Sequence, residues 1–394
     1  MPLLIPFAVL LWLIAAFWVV CGLTALRGLR RVPNLWNTAA SPAAADSPAQ
    51  ITVIIPARNE AAAIEATLRS LLAQTIPVEI LAVNDRSTDA TGDLMDGIAA
   101  EPLPPGKSLR ILHVNALPEG WLGKPHAMAF AARHATTPWL LFTDADVIFA
   151  PDVLARALRF ADESQADHLV LMPTLILKSA GERSMATFFQ AVSLLWWRPW
   201  RIADARTRDS IGIGAFNLIR ADVYCAVGGF EAQRFQVLDD VRLGVEVKRG
   251  GYRQRIAFGR ELIRLHWAPG ALGMARNLTK NLFAGFGFNP ALLLGACLGV
   301  ALICYAPLAG LFFSWPIRSA ALLSLAMIAL HYRLAGRYFS GLSLFWALTL
   351  PITAVVVLYA MLRSMIVTLG RRGIVWRGTF YPLRELRRHS GRLR

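Results

Sequence analysis

Hydrophobic runs alternate with polar segments in a regular rhythm between residues 51 and 143. Apolar runs without polar alternation are typical of strands buried on both faces of a parallel sheet. Such runs occupy Ile51–Ile55, Val78–Val83, Leu109–Val114 and Trp139–Thr143. Apolar residues at helical spacing follow the strands, first over roughly Ala61–Gln74. Four successive βα units predict an α/β fold with a doubly wound, mostly parallel sheet.

The pattern becomes less regular after residue 146. It predicts a helix over Asp152–Ala161 and strands over His168–Met172 and Tyr252–Phe258. The segment Ile211–Ile219 contains glycines and fits either a strand or a loop. The apolar segment Ser184–Trp200 is rich in aromatic residues, which suits either a protein core or a membrane surface.

Long apolar runs lie near both ends of the chain. Met1–Leu26 carries no charge and exceeds the ~20 residues that a helix needs to cross a membrane. It has no basic start and no clear cleavage site, so we expect an uncleaved anchor rather than a signal peptide. Ala291–Phe313 and Tyr338–Leu362 are long enough for further spans. Ser319–Leu330 is short for a span, and we expect a re-entrant or interfacial piece there.

The charge pattern supports a membrane-associated chain. Of the residues, 55% are hydrophobic and the net charge is +15, with basic residues placed beside the apolar runs. Arg27, Arg30 and Arg31 follow the first run, and the tail Arg371–Arg394 holds eight Arg and one Glu. Basic residues beside spans favour the cytoplasmic side, so two C-terminal spans would keep both the α/β region and the tail in the cytoplasm. No nucleic-acid signature is found, so we expect no nucleic-acid partner.

These features divide the chain into five parts. They are an anchor (1–26), a basic and Pro/Ala-rich linker (27–50), an α/β domain (51–286), transmembrane or re-entrant helices (287–370) and a basic tail (371–394). The four cysteines have neither metal-ligand nor CxxC spacing, so we expect no zinc site and no disulfide framework.

Acidic residues stand where the predicted strands end, which is where ligands of open α/β sheets bind. Asp144 and Asp146 follow the fourth strand, and alternate residues of an extended chain face the same way. Adjacent carboxylates repel each other unless a cation holds them, and Mg²⁺ commonly adds substrate phosphates to one or two carboxylates. The pair predicts a metal–diphosphate site, and the alternative is a helix N-cap at Asp146. Asp85 ends the second strand, where it could instead cap the next helix.

Three strand-end motifs, PARNE (56–60), NDRSTD (84–89) and TDAD (143–146), occur in an order that resembles the family 2 glycosyltransferases with the GT-A fold. The resemblance covers about Ile51–Phe286 and extends to GAFN (214–217). It also extends to DDVRL (239–243), where Asp replaces the Glu of the family's motif. The segments GWLGK (120–124) and WRG (376–378), with the anchor and the C-terminal spans, are similar to the hopene-associated glycosyltransferases and their carotenoid-glycosylating relatives.

The resemblance implies a role for each motif residue. Asp85 would accept the uracil N–H of a UDP-sugar, and the backbone from Pro56 through Arg58 to Glu60 would bracket the base. Asp144 would lie near the ribose or sugar, and Asp146 would bind Mg²⁺ or Mn²⁺. Lys124 would add a cation near the phosphates. A lysine is unfavourable at a helix start because of the helix dipole, which favours a functional role over a structural one.

Asp240 is the candidate general base, because the acceptor hydroxyl must lose its proton as it attacks the anomeric carbon. Asp239 is a further candidate for contact with the acceptor or the diphosphate. Asp239 and Asp240 also begin a predicted helix, where acids are favourable through the dipole alone. A (Q/R)xxRW motif found in many membrane-bound relatives is missing. Arg276 and Lys280 lie about where it would stand, and either could replace it. The pair His266–Trp267 could line an acceptor site or simply pack together.

The sequence therefore predicts an inverting, metal-dependent glycosyltransferase at the cytoplasmic face of the membrane. It would move a sugar from a nucleotide-sugar, UDP-linked by resemblance, to a lipid acceptor of hopanoid or carotenoid type. Polyprenyl-phosphate glycosylation and polysaccharide synthesis are alternatives of the same class. An inactive scaffold that binds nucleotide-sugars is the alternative of another class.

Overall fold

A computed structural model describes residues 4–40 and 47–389. Residues 1–3 of the predicted anchor, 41–46 of the linker and 390–394 of the tail lie outside the described residues. The chain forms two compact units. The sheet unit comprises Val32–Ile176, Arg201–His266 and Val375–Arg394, and the helical unit comprises Met1–Arg31, Leu177–Trp200 and Trp267–Ile374.

The elements alternate between strands and helices in the first half of the chain. The strands are β1 (Ile51–Ala57), β2 (Val78–Asp85), β3 (Lys107–Val114), β4 (Trp139–Phe142), β5 (Val147–Phe149), β6 (His168–Leu175), β7 (Asn217–Arg220), β8 (Gln254–Leu265), β9 (Gly373–Trp376) and β10 (Thr379–Pro382). The α-helices are α1 (Leu4–Leu29), α2 (Ile64–Leu72), α3 (Thr91–Ala100), α4 (Gly123–Ala132), α5 (Val153–Glu163), α6 (Ala180–Trp196), α7 (Ala221–Ala226), α8 (Asp239–Arg249), α9 (Gly270–Asn277), α10 (Leu282–Gly285), α11 (Pro290–Gly310), α12 (Trp315–Ala335), α13 (Leu350–Gly370) and α14 (Leu383–His389).

The sheet unit is built on an eight-stranded sheet with the order β3-β2-β1-β4-β7-β6-β8-β5. The first four strands in this order are parallel neighbours, as the sequence predicted. The second half is mixed, because β7 runs antiparallel to both β4 and β6, and β5 runs antiparallel to β8. The helix N-cap proposed for Asp146 is wrong, since the β-branched and aromatic residues that follow it form β5 instead of a helix.

Both faces of the parallel strands are buried. Within β1, Val53 and Ile55 belong to one hydrophobic cluster, while Ile54 belongs to a second cluster. Helix α2 contributes Leu68 to the first cluster, and helix α4 contributes Met128 to the second. Alternate strand residues therefore pack against different layers of helices, which explains why the strands appear in the sequence as continuous apolar runs.

A buried polar cluster fixes the loop before β7 and helix α8. The Gln254 side chain accepts from the Ile211 N–H (3.0 Å) and donates to the Ile211 carbonyl (3.0 Å) and the Gly244 carbonyl (3.2 Å). It also lies 2.8 Å from His168 Nδ1, and His168 Nε2 lies 2.8 Å from Asn217 Oδ1. Burial lowers the pKa of His168 to about 4, so its ring is neutral at physiological pH and can accept at Nδ1 while it donates at Nε2.

The helical unit contains apolar helices that are long enough to cross a membrane. By length and composition, the candidate spans among the described residues are Leu4–Leu29, Pro290–Gly310, Trp315–Ser340 and Leu344–Gly370. The short piece expected at Ser319–Leu330 is instead a longer helix. Arg318 and Arg333 interrupt the apolar run in the sequence, but the helix continues past both charges.

The part of the predicted basic tail that the structure describes is folded, and from Val375 onward it belongs to the sheet unit. Residues 373–382 form the two-stranded hairpin β9–β10, and α14 follows with Leu383 and Leu386 buried. The sequence showed the charge of this segment but gave little sign of its strands, because each is four residues long.

Two glycines permit a close approach of helix α8 to the loop before β7. A Cβ added at Gly244 would lie 2.0 Å from the Ile211 carbonyl oxygen, and one added at Gly212 would lie 1.7 Å from the Asp240 carbonyl oxygen. Real Cβ atoms do not approach backbone oxygens so closely. The loop and the start of α8 can therefore pack together only because neither position carries a side chain.

We predict that Gly244→Ala destabilises the sheet unit by about 1–3 kcal/mol, because the added methyl group must push backbone apart. The matched control is Gly97→Ala in helix α3, where an added Cβ meets nothing within 4 Å and alanine is the better helix former. Thermal unfolding of the detergent-purified proteins measures the difference. Equal midpoints for the two variants would contradict the packing described above.

Candidate active site

The carboxyl ends of neighbouring strands bring acidic residues together. Asp85 is the last residue of β2 and is buried, and Asp144 and Asp146 lie between β4 and β5. Strands β2 and β4 both pair with β1, so these ends meet at one edge of the sheet. The sequence-predicted acids Asp85, Asp144 and Asp146 are thus brought to the same region.

Lys124 links this edge to the start of helix α8. Its Nζ lies 2.6 Å from Asp144 Oδ1 and 3.7 Å from Asp239 Oδ2. Burial lowers the pKa of Lys124, but the carboxylates of Asp144, Asp239 and Asp240 outweigh burial and bring the pKa above its ordinary value. The ammonium group is therefore a permanent cation among three acids from two distant parts of the chain.

Asp146 has unfavourable surroundings for a second negative charge. Burial, followed by the nearby charges of Asp144 and Glu60, raises the pKa of Asp146 to about 7, while Lys124 opposes this shift. Like charges held close together in a partly buried site favour binding of a cation or a proton. The pair Asp144 and Asp146 has the electrostatics of such a site.

Glycines let the backbone approach these carboxylates. A Cβ added at Gly214 would lie 2.5 Å from Asp144 Oδ2, and the Asp144 N–H donates to the Gly214 carbonyl at 2.9 Å. A Cβ added at Gly123 would lie 2.7 Å from Asp85 Oδ2. The positions of both acids depend on glycines in segments that the sequence had marked, GAFN and GWLGK.

Asp85 is held by a neighbour that the sequence analysis missed. Arg86 Nε lies 2.7 Å from Asp85 Oδ1, and Arg86 Nη2 lies 3.0 Å from Asp85 Oδ2. Arg86 adopts a positive φ of 57°, which is uncommon for a residue with a side chain. A nucleobase N–H at Asp85 would therefore share a carboxylate that already accepts from a guanidinium.

The C-terminal hairpin β9–β10 contacts the same region. Arg377 Nη1 donates to the Arg58 carbonyl at 2.8 Å, and Arg377 forms an ion pair with Glu60. The Gly123 N–H donates to the Tyr381 hydroxyl at 3.2 Å. The segment WRG was the sequence signal for this hairpin, but it gave no indication of a place in the site.

Together these segments form a cleft with an empty volume of about 380 Å³, its open mouth included. Its lining residues are Pro56, Ala57, Arg58, Asp85, Gly123, Lys124, Asp144, Trp376, Arg377 and Tyr381. Five residues predicted from the sequence to bind the nucleotide-sugar line the cleft. Four other acids influence the electrostatics of the cleft through the ion pairs and charges described above: Glu60, Asp146, Asp239 and Asp240.

Comparison with known proteins identifies this arrangement. Residues 52–241 match the model of the family described as "Glycosyl transferase family 2". This stretch forms a family 2 glycosyltransferase domain. The mostly parallel sheet and the order of the strand-end acids belong to this domain.

Relatives of the glycosyltransferase domain are found among curated proteins and solved structures. The 4,4'-diaponeurosporenoate glycosyltransferase of Staphylococcus aureus is 27% identical over 197 residues, which is 49% of this chain and 50% of the relative. The match thus spans about half the length of that relative. A mannosyltransferase from Pyrobaculum calidifontis, solved in complex with GDP-Man and Mn²⁺, is similar with a TM-score of 0.56 at 19% identity. That similarity covers 93% of this chain and 99% of that one. The GT-A fold predicted from the sequence is confirmed.

Of the residues predicted to contact the acceptor or the diphosphate, Asp239 lies in the glycosyltransferase domain and the other four lie beyond it. His266 directly follows β8, while Trp267, Arg276 and Lys280 belong to the helical unit. Trp267 packs edge-on against Phe189, with ring centroids 5.4 Å apart. Lys280 Nζ donates to Asn281 Oδ1 at 2.9 Å. Their proposed contacts with an acceptor remain predictions.

The carboxylates of the glycosyltransferase domain fit a metal that is shared with a substrate. Among residues 4–40 and 47–389, no group of three or more His, Cys, Asp and Glu side chains could hold a metal ion by itself. Asp144 and Asp146 supply two carboxylates in a site whose charges favour a cation. Mg²⁺ and related hard cations commonly bind one or two carboxylates and complete their shell with substrate phosphates.

We predict that Asp146→Asn raises the unfolding midpoint by a few degrees at pH 8 without divalent cations, and by less at pH 5. The unfolded chain ionises Asp146 near its ordinary pKa of ~3.9, whereas the folded chain retains the proton up to about 7. The resulting stabilisation is complete below ~4 and is lost as the pH rises through about 7. Asparagine removes the charge that causes this loss.

The control for this prediction is Asp93→Asn, an isosteric change at an exposed position of helix α3. Its effect on the midpoint should be small and equal at pH 5 and pH 8, because Asp93 is exposed and lies in helix α3 rather than in the carboxylate cluster. An Asp146→Asn effect that does not change between the two pH values would contradict the electrostatics assigned to Asp146.

Proposed function

We propose that the chain transfers a sugar from a nucleotide-sugar to a lipid acceptor at the cytoplasmic membrane surface, with inversion at the anomeric carbon. The observation that carries this proposal is the cleft in which Asp85, Lys124 and Asp144 meet, with Asp240 close enough to influence the charge of Lys124. These are the parts that glycosyl transfer needs: a donor site, a cation for the leaving group and a base.

The donor binds through charge and through the strand ends. Arg58 and Lys124 give the cleft two cations that suit a diphosphate, and Pro56 lines it beside them. A UDP-sugar is the donor that the sequence resemblance favours, with Asp85 directed at the base. The ion pair between Asp85 and Arg86 then orients the carboxylate and fixes which oxygen lone pairs remain for the base.

A divalent cation, Mg²⁺ or Mn²⁺, would be held by Asp146 and Asp144 together with the diphosphate. When bound, it supplies Lewis-acid stabilisation of the negative charge on the leaving group. Lys124 would stabilise the same negative charge on the leaving group, because its raised pKa keeps it protonated and its Nζ lies against Asp144.

Asp240 is the proposed general base. It stands at the start of α8, where its Oδ1 accepts from the Val241 N–H at 2.8 Å, so the carboxylate has a defined orientation. Gly212 packs directly against its backbone and holds this part of the helix at the cleft. Asp239 is buried beside Lys124, so we assign it an electrostatic role rather than proton transfer.

A lipid acceptor is supported by the apolar helices and by one relative. The chain contains candidate spans before and after the sheet-forming segments, which would confine the enzyme to the surface where a lipid hydroxyl is concentrated. The relative named 4,4'-diaponeurosporenoate glycosyltransferase acts on a carotenoid acid by its name. We therefore propose an acceptor of carotenoid or hopanoid type.

The chain connectivity constrains the proposed topology. The hairpin β9–β10 packs on the sheet unit, so the chain must return to the side of the sheet before residue 375. The number of complete crossings between residues 266 and 375 is therefore even, although α11, α12 and α13 all meet the length and composition of a span. Under this proposal, one of these three helices does not cross the membrane completely, so the chain enters and leaves it on the same side. The arginines after α1 favour a cytoplasmic position for the sheet.

This topology predicts that Cys225 and a cysteine placed at Arg384 react with a membrane-impermeant maleimide from the same side. Cys225 is exposed in the sheet unit, and Arg384 is exposed in helix α14. The Arg384→Cys change is tested in a Cys225→Ser background. Both sites should react in sealed inside-out vesicles and neither in right-side-out vesicles. Labelling from opposite sides would contradict the even number of crossings.

We predict that Asp240→Asn lowers the rate of sugar transfer at least ~100-fold while nucleotide binding changes less than about threefold, because the loss of a general base costs this order of magnitude. The assay is UDP or GDP release from nucleotide-sugars by purified protein with Mn²⁺ and a membrane lipid extract. Asp93→Asn is the control. Nucleotide binding without turnover on any lipid extract would favour an inactive scaffold, and mass spectrometry of lipids from a deletion strain identifies the acceptor.

A further inference from the structure

The C-terminal hairpin supplies three of the residues that line the cleft. Trp376, Arg377 and Tyr381 lie on or between β9 and β10. They come from more than 130 residues beyond the end of the family-matched stretch 52–241. The hairpin is therefore a wall of the cleft that lies outside the family-matched stretch.

Several contacts fix this wall to the strand ends. Arg377 binds both the Arg58 carbonyl and the Glu60 carboxylate, and Arg58 Nη1 donates to Thr379 Oγ1 at 3.3 Å. On the other side of the hairpin, the Tyr381 hydroxyl accepts from Gly123 at the start of α4. The contacts reach both the first strand end and the first turn of α4, which are the segments that carry the donor-site cations Arg58 and Lys124.

The groups on this wall match a nucleoside diphosphate. Trp376 and Tyr381 present largely buried aromatic rings that a flat base or ribose can pack against, and Arg377 retains a guanidinium that is 42% exposed. Arg58 Nε is buried and has no hydrogen-bond partner among the described residues. A buried donor without an acceptor is costly in a folded protein, and a bound ligand with acceptor oxygens would satisfy it.

We propose that the C-terminal hairpin is part of the donor-binding site, with Trp376, Arg377 and Tyr381 binding the nucleoside diphosphate of the donor. This inference rests on the proposed function and assigns donor affinity to residues that follow the last apolar helix. Only Arg371 and Arg372 separate α13 from β9. The donor site is therefore complete only after the chain has passed through its C-terminal apolar helices.

The experiment measures nucleotide binding to the full-length protein in detergent by isothermal titration, with UDP and with GDP in separate titrations, each in the presence of Mn²⁺. The variants are Arg377→Gln and Trp376→Leu. The matched control is Arg384→Gln, which removes the same charge from an exposed position seven residues further along. Unfolding midpoints with and without nucleotide are measured for every protein.

We expect Arg377→Gln to bind the nucleotide recognised by the wild type about 10- to 100-fold more weakly, because a charge-assisted contact is lost. Trp376→Leu should also bind more weakly, and Arg384→Gln should bind like wild type. The nucleotide-induced rise of the unfolding midpoint should shrink in the two hairpin variants. A purely structural hairpin would lower the midpoint without nucleotide and leave that rise intact.

Three results would overturn the inference. If Arg377→Gln and Trp376→Leu bind nucleotide as wild type does, while Asp146→Asn loses Mn²⁺-dependent binding, the proposed function stands and the hairpin lies outside the donor site. Tighter binding by Arg377→Gln would mean that the hairpin blocks the cleft instead of serving it. If wild type binds neither UDP nor GDP with Mn²⁺, the proposed function fails and this inference fails with it.

Discussion

The site depends on one buried cation held among carboxylates. Lys124 lies against Asp144 and near Asp239, although these acids come from the end of β4 and from the start of α8, almost a hundred residues apart. Two like charges ~4 Å apart repel by about 4 kcal/mol at the effective dielectric of a protein surface. Without the ammonium group, the acids that glycosyl transfer requires would drive the sheet edge and the helix apart. Under the proposed function, the same ammonium group stabilises the fold when no donor is bound and the leaving group when a donor is bound.

One cation does not neutralise the whole cluster. Burial, together with the nearby charges of Asp144 and Glu60, raises the pKa of Asp146 to about 7. This residual imbalance is the physical reason for proposing a second, exchangeable cation that arrives with the donor. Under that proposal, one permanent and one exchangeable positive charge would suit a diphosphate that must bind and later leave.

The sequence predicted those parts of the fold that local patterns specify. The strands β1 to β4 are apolar runs with both faces buried, and their order follows from short βα connections. The acids Asp85 and Asp144 were predictable because strand ends in parallel sheets converge. Strand β5 was missed because three residues carry too little pattern, and the length of α12 was underestimated because two arginines interrupt its apolar run.

Partners that depend on tertiary contacts could not be predicted. The pairing of Arg86 with Asp85 requires a positive φ that no side-chain pattern announces, and the pairing of Arg377 with Glu60 joins residues 317 positions apart. In the sequence, the glycines at 212 and 214 indicated only a loop or strand and part of the GAFN motif, and Gly244 belonged to no recognised pattern. These glycines let backbone oxygens and carboxylates approach closely. This role is visible only when the segments on both sides of each contact have been placed in the structure.

The family-matched stretch covers only part of the sheet unit. Residues 52–241 carry Asp85, Lys124, Asp144, Asp146 and Asp240, the residues to which we assign donor binding and catalysis. Strand β8 and the hairpin β9–β10 lie beyond this stretch, and the hairpin walls the cleft. Under the proposed function, the residues assigned to donor binding therefore come from both parts of the chain, with Arg58, Asp85 and Lys124 in the matched stretch and Trp376, Arg377 and Tyr381 in the hairpin. The two sets line one cleft, although the candidate spans between residues 290 and 370 separate them along the chain.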